Sequence, residues 1–266
     1  MTTNLRWLLQ LRWSGRIPGL FLCPHLAIFK TQRLLFPSPQ KAIAMKIKVC
    51  GITTLDQFHE LAALPVHYAG FIFYGPSLRH ATRYGLKASD IRKAKFPLYK
   101  VGVFVNAGYD EIMRTAEEWG LDMVQLHGHE TPYECERILP HIDVIKAFRF
   151  VENDHVLWTI KDHFSCTDLL LLDTGIPAPR AERENKALYG GTGRRFSWNR
   201  LRGMEVQKPF ILSGGVEPGD AAYIREFLRE PAASSLVAVD ICSRFESVPG
   251  IKDMDRVRRF VSELAQ

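Results

Sequence analysis

The chain has 266 residues, 46% of them hydrophobic, which is enough for one large core and too apolar for a disordered or fibrous protein. Its formal charge of +6 sits in the head: residues 1–44 carry Arg6, Arg12, Arg16, Lys30, Arg33 and Lys41 and no acid, and the other 29 basic residues are matched by 29 acidic ones. A body of zero net charge argues against a nucleic-acid partner, and no uncharged run of about 18 apolar residues argues for a membrane span.

The head is Arg-rich and acid-free, as in an organelle transit peptide. Met45-Lys46-Ile47-Lys48-Val49-Cys50 nevertheless reads as the opening of a cytoplasmic enzyme. Residues 1–44 are therefore expected to be an extension, either disordered or ahead of the true start, and 45–266 the folded domain. The cysteines, Cys23, Cys50, Cys135, Cys166 and Cys242, are odd in number and widely spaced, which suits a reducing compartment better than a disulfide scaffold.

From Met45 onward, short apolar runs alternate with amphipathic stretches. The first run is Lys46–Cys50, followed by a helical pattern over Leu55–Leu64. Tyr68–Phe73 and a helix over Ala88–Lys95 come next, then Tyr99–Val105 with a helix over Tyr109–Trp119. Met123–Leu126 precedes a helix over Pro132–Leu139. Val144–Phe148, Leu169–Asp173 and Pro209–Leu212 follow, then a helix over Asp220–Arg229, a last run Leu236–Ile241 and a helix over Asp253–Leu264. The eight runs are almost continuously apolar, as strands covered by helices must be. Eight such units predict a closed parallel (β/α)8 barrel. A doubly wound sheet is the alternative, but no GxGxxG follows Cys50.

Barrel enzymes keep their chemistry at the carboxyl ends of the strands. There the chain places Cys50-Gly51, Tyr74-Gly75, Asn106, His127-Gly128, Arg149, Asp173-Thr174-Gly175, Ser213-Gly214-Gly215 and Asp240. A barrel with no chemistry has no need of a thiol and two carboxylates around one rim. The connection from Thr174 to Lys208 exceeds a loop plus a helix and contains Gly190-Gly191-Thr192-Gly193, a candidate lid whose backbone amides can approach a phosphate.

These strand ends carry a resemblance. Lys48-Val49-Cys50-Gly51-Ile52-Thr53, Gly70-Phe71-Ile72-Phe73-Tyr74, Val101-Gly102-Val103-Phe104-Val105-Asn106 and Val124-Gln125-Leu126-His127-Gly128 resemble the motifs of phosphoribosylanthranilate isomerases. So do Val144–Phe148, Leu171-Leu172-Asp173-Thr174, Gly190–Gly193, Ile211-Leu212-Ser213-Gly214-Gly215, Val239-Asp240 and Pro249–Asp253, in order through the body.

The resemblance implies an Amadori rearrangement in tryptophan biosynthesis: N-(5-phosphoribosyl)anthranilate becomes 1-(2-carboxyphenylamino)-1-deoxyribulose 5-phosphate, with no cofactor and no metal. An acid protonates the ribose ring oxygen, the ring opens to an iminium, and a base takes the C2 proton. By resemblance Cys50 is the base and Asp173 the acid. Arg79, in Ser77-Leu78-Arg79 where the family has Ser-Pro-Arg, would bind the anthranilate carboxylate. Gly191, Gly193, Gly214, Gly215 and Ser243 are candidates for the phosphate, and Gln125, His127 and Asp240 for other substrate contacts. The family's eighth loop reads Ser-Ser-Gly, whereas this chain has Cys242-Ser243-Arg244.

Each role carries a condition. A thiol near 8.5 needs help to ionise, and Lys48, two residues along the same strand, points to the same side as Cys50. Asp173 must hold a proton, which calls for desolvation or a second carboxylate. Two other readings compete. His127-Gly128-His129 with Lys146, Asp173 and Asp240 is reminiscent of a metal-dependent barrel hydrolase, and the glycines alone would serve a non-catalytic phosphosugar-binding barrel. The expected partner is the small-molecule substrate, with the protein a monomer or a homodimer.

Overall fold

The computed structural model describes residues 45–149, 156–173 and 206–266; the head and the Gly190–Gly193 segment lie outside them. Eight parallel strands close into one barrel: β1 (Lys46–Cys50), β2 (Tyr68–Ile72), β3 (Tyr99–Phe104), β4 (Met123–Leu126), β5 (Asp143–Arg149), β6 (Leu169–Asp173), β7 (Phe210–Ser213) and β8 (Leu236–Ile241). Every predicted run is a strand, with ends shifted by at most a residue. The six predicted helices are present within two residues at each end. Two features were not anticipated: a helix at Val156–Asp162, and an antiparallel pair, Glu246–Val248 with Ile251–Lys252, after β8.

Local chemistry explains the helix boundaries. Thr54 caps the first helix by accepting from the Gln57 amide. Thr131 and Glu134 form a reciprocal capping box with Pro132 at the first helical position. Gly120 ends Tyr109–Trp119 at φ 60°, a conformation that costs a side-chain-bearing residue.

Side chains alternate across each strand, and the barrel has two distinct apolar regions as a result. The larger lies between strands and helices and includes Val49, Phe71, Phe104, Leu170, Leu212 and Phe260. The smaller fills the barrel with Tyr68, Val101, Met123, Ile145, Leu169, Leu171, Ile211 and Ala238. Following the inward parity upward leads to Lys48 and Cys50 on β1, Gln125 and His127 on and after β4, Asp173 on β6, Ser213 on β7, and Asp240 and Cys242 on and after β8. The apolar filling thus seats a polar layer at the carboxyl ends.

Lys48 and Asp240 are register partners on β1 and β8, and their side chains pair at 3.0 Å, 0% and 4% exposed. Burial opposes the Lys48 charge, but the Asp240 carboxylate leads the contacts that more than offset it and hold the ammonium's pKa above its usual value. Removing one partner of such a pair strands the other's charge. Lys48→Met is expected to destabilise the fold by about 3–5 kcal/mol, read as a fall in the urea midpoint.

Candidate active site

The site forms three groups around the mouth. On the β4–β6 side, Asp173 is buried at the end of β6. Its Oδ2 lies 3.3 Å from Nε2 of His127, and the Gln125 amide donates to Nδ1 of the same ring at 2.8 Å. With Nδ1 accepting from Gln125, it is the Nε2–H that faces Asp173. Gln125, 1% exposed, therefore orients His127 from below.

The loop bearing His127 is held from outside the barrel. Glu130 accepts from the backbone amides of Asn106 and Gly128, and Lys146 donates to Glu130 at 2.9 Å and to the carbonyls of Leu126 and Gly128. Lys146 has the outward parity on β5 and His129 is exposed. Neither joins Asp173 and Asp240, so the ligand set imagined for a metal hydrolase does not converge. Among the described residues no three His, Cys, Asp or Glu side chains are grouped to hold a metal.

The second group is on β1 and β8. Cys50 is buried at the end of β1, and its neighbour in register is Gly70 on β2. A Cβ on Gly70 would lie 2.9 Å from the Cys50 sulfur and 3.1 Å from its Cα, so only glycine leaves room there. Gly70→Ala is expected to push the sulfur aside and lower kcat by roughly 10- to 100-fold, the cost of a small misplacement of a reacting group, with the melting temperature as control. Asp240 has Oδ1 bonded to Lys48 and Oδ2 to the Ser213 hydroxyl at 2.9 Å. Both oxygens are engaged within the protein, so Asp240 holds Lys48 beside Cys50 rather than presenting a free oxygen to the mouth.

The third group was not foreseen. Glu246, on the strand after β8, grips Arg79 through Nε and Nη2 at 2.8–3.0 Å and Lys252 at 2.6 Å. Lys252 Nζ lies 3.8 Å from the Cys242 sulfur, and the Cys50 thiol is close enough to Cys242 for the two to titrate together. The Cys50 thiol, with Lys252 and Arg79 alongside, outweighs burial and lowers Cys242 to about 6. Cys242, together with burial, raises Cys50 well above the ordinary thiol range despite Lys48. Lys48 does stand beside Cys50 as expected, but Cys242 is the stronger influence on it. The signal was available, since Cys242 continues the inward parity of Asp240.

At the β7 and β8 ends, Gly214 and Gly215 have φ of 92° and 70°, and Ser243 opens the 3-10 turn Ser243–Phe245. Arg244, where the family has Gly, reaches Glu217 in the β7 loop at 3.4 Å. Gly191 and Gly193 lie outside the described residues.

The family model for N-(5'-phosphoribosyl)anthranilate isomerase matches residues 47–263. Enzymes of that name from Parabacteroides distasonis and a Geobacter species are each 36% identical, over 83% and 82% of this chain and 93% and 97% of their own. The phosphoribosylanthranilate isomerase structure from Thermotoga maritima superposes with a TM-score of 0.67 at 29% identity, covering 83% of this chain and 98% of that one. A further isomerase structure, in complex with reduced 1-(o-carboxyphenylamino)-1-deoxyribulose 5-phosphate, matches at 26% identity and a TM-score of 0.62, with the same coverage. The fold, the strand-end residues and these matches agree: the chain belongs to the N-(5'-phosphoribosyl)anthranilate isomerase family.

Proposed function

We propose that this protein converts N-(5'-phosphoribosyl)anthranilate to 1-(2-carboxyphenylamino)-1-deoxyribulose 5-phosphate by acid–base catalysis, with Asp173 as the acid and Cys50 as the base. The observation that carries this reading is the placement of the two groups on one rim, on strands three steps apart round the ring. A sugar between them can be protonated from one side and deprotonated from the other.

Asp173, entering the reaction protonated, gives its proton to the ribose ring oxygen as the ring opens to the iminium. His127 fixes the carboxyl's orientation. Cys50 then takes the C2 proton. The Cys50 and Cys242 thiols titrate together, Cys242 held low and Cys50 high, and Cys50 acts in the form of the pair whose proton lies on Cys242. The pair behaves as one base of one proton capacity. The resulting enol collapses to the C2 ketone with protonation at C1.

Gly214, Gly215 and Ser243 bind the phosphate through backbone amides and a hydroxyl, as the loops after the seventh and eighth strands do in many barrels, with Gly191 and Gly193 contributing from the long connection. Arg79 binds the anthranilate carboxylate at the edge of its guanidinium not held by Glu246. Residues 45–266 are the working unit, acting in the cytoplasm as a monomer or homodimer, with residues 1–44 dispensable. Expression of 45–266 in a tryptophan auxotroph lacking this isomerase tests the reading. Growth without tryptophan is expected, and no growth despite folded, soluble protein would contradict it.

A further inference from the structure

We infer that Cys50 and Cys242 form a redox-modifiable pair, which hydroperoxides close into an intramolecular disulfide that takes the Cys50 sulfur out of the reaction. The strands carrying them are neighbours. Val49 and Ile241 are register partners, and the cysteines are the next residue on each side. Adjacent strands lie about 4.8 Å apart, within the roughly 4.4–6.8 Å Cα separation that a disulfide spans. Cys242 also continues the inward parity of Asp240 on β8, as Cys50 continues that of Lys48 on β1, so both side chains turn to the same face at the mouth. A Cβ on Gly51, the residue after Cys50, would meet the Arg79 Cδ at 3.2 Å and the Cys242 sulfur at 3.5 Å, so the Cys242 thiol and the Arg79 side chain border the same space beside Cys50. With Lys252 at 3.8 Å, Cys242 has cations on hand to support a thiolate, and it is half-buried at the mouth, where a molecule the size of peroxide can reach it.

The chain supplies its own comparison. Cys135 and Cys166 are also close enough to influence each other, but the Cys166 thiol donates to the His163 carbonyl at 3.5 Å, the two are 0% and 1% exposed, and burial pushes Cys135 up to about 12. Proximity is common to both pairs; thiolate character and access belong to Cys50–Cys242 alone.

The steps balance. The Cys242 thiolate attacks one peroxide oxygen, the O–O bond breaks, hydroxide leaves, and Cys242 becomes a sulfenic acid. The Cys50 sulfur then attacks the Cys242 sulfur. The S–S bond forms, the S–O bond breaks, and the departing hydroxide takes the Cys50 proton as water. Each sulfur gives up one electron, the two peroxide oxygens accept them, and an added dithiol reverses the change. Formation of the disulfide does not depend on what the enzyme catalyses; the loss of activity rests on the role proposed for Cys50.

The full chain is titrated with hydrogen peroxide, alkylated, and mapped by mass spectrometry, with isomerase activity measured in parallel. A peptide pair joined through Cys50 and Cys242 is expected at peroxide levels that leave Cys135 and Cys166 alkylatable. Activity should fall in proportion to the joined fraction and return with dithiothreitol. Cys242→Ser, compared with its own untreated rate, should form no cross-link and should lose activity only at higher peroxide, since Cys50 is then oxidised without its low-pKa partner. Separate alkylation of Cys50 and Cys242 throughout, or joining of Cys135 to Cys166 first, would overturn the inference. An untreated protein without isomerase activity would sink the proposed function and leave the mapping result to be judged on its own.

Discussion

Cys50→Ser is expected to lower kcat by about 10³-fold while leaving KM within a few-fold of the parent, since a positioned base contributes roughly 10²–10⁴ to a proton transfer. Serine fills the same space beside Gly70, so the variant should fold and bind. What it lacks is an acceptor for the C2 proton near neutral pH. Steady-state kinetics on both proteins separates the two constants, and an equal loss in KM would instead indicate a binding role for Cys50. The same thiol pair sets the acid limb of the pH profile. Cys242 is lowered to about 6, so above that pH the pair holds one proton and can accept another. As pH falls through about 6 the second proton fills the pair, and kcat/KM should decline. In Cys242→Ser the limb should move to higher pH, because Cys50 must then ionise in its buried position with only Lys48 in support.

Asp173→Asn should be at least as damaging, with kcat down by about 10³–10⁴-fold. The amide is nearly the same shape and can still meet His127, but it has no proton to give to the ribose oxygen. The loss should therefore fall on ring opening. A substrate analogue that is already open-chain would bypass this step and restore much of the rate to Asp173→Asn, but none to Cys50→Ser. A similar loss for both variants on both substrates would contradict the division of labour.

The barrel was legible because its eight strands are buried on both faces. That removes alternation from the pattern and leaves compact apolar runs such as Leu169–Asp173, which fixed the strands to within a residue. The helix Val156–Asp162 was missed because it is a single short stretch with weak periodicity. Cys50 and Asp173 could be placed on the rim from spacing, but their roles came from the motifs. The contacts around them were less legible. Glu246 and Lys252 sit beyond the last strand in a small antiparallel pair, and nothing in local composition tells that Glu246 would reach back 167 residues to Arg79. Cys242 looked like a departure at the phosphate loop. Its place beside Cys50 follows from barrel closure, which joins the first strand to the last.

The most direct test is to supply N-(5'-phosphoribosyl)anthranilate to the purified protein in deuterated water, with a metal chelator and no added cofactor. The product is then examined by proton NMR. Turnover to the 1-deoxyribulose 5-phosphate with deuterium entering at C1 is the result predicted, since C1 takes its proton from solvent or a solvent-exchanged group after the enol forms. Folded protein that yields no product, or one that turns over only when metal is restored, would contradict the acid–base account built on Cys50 and Asp173.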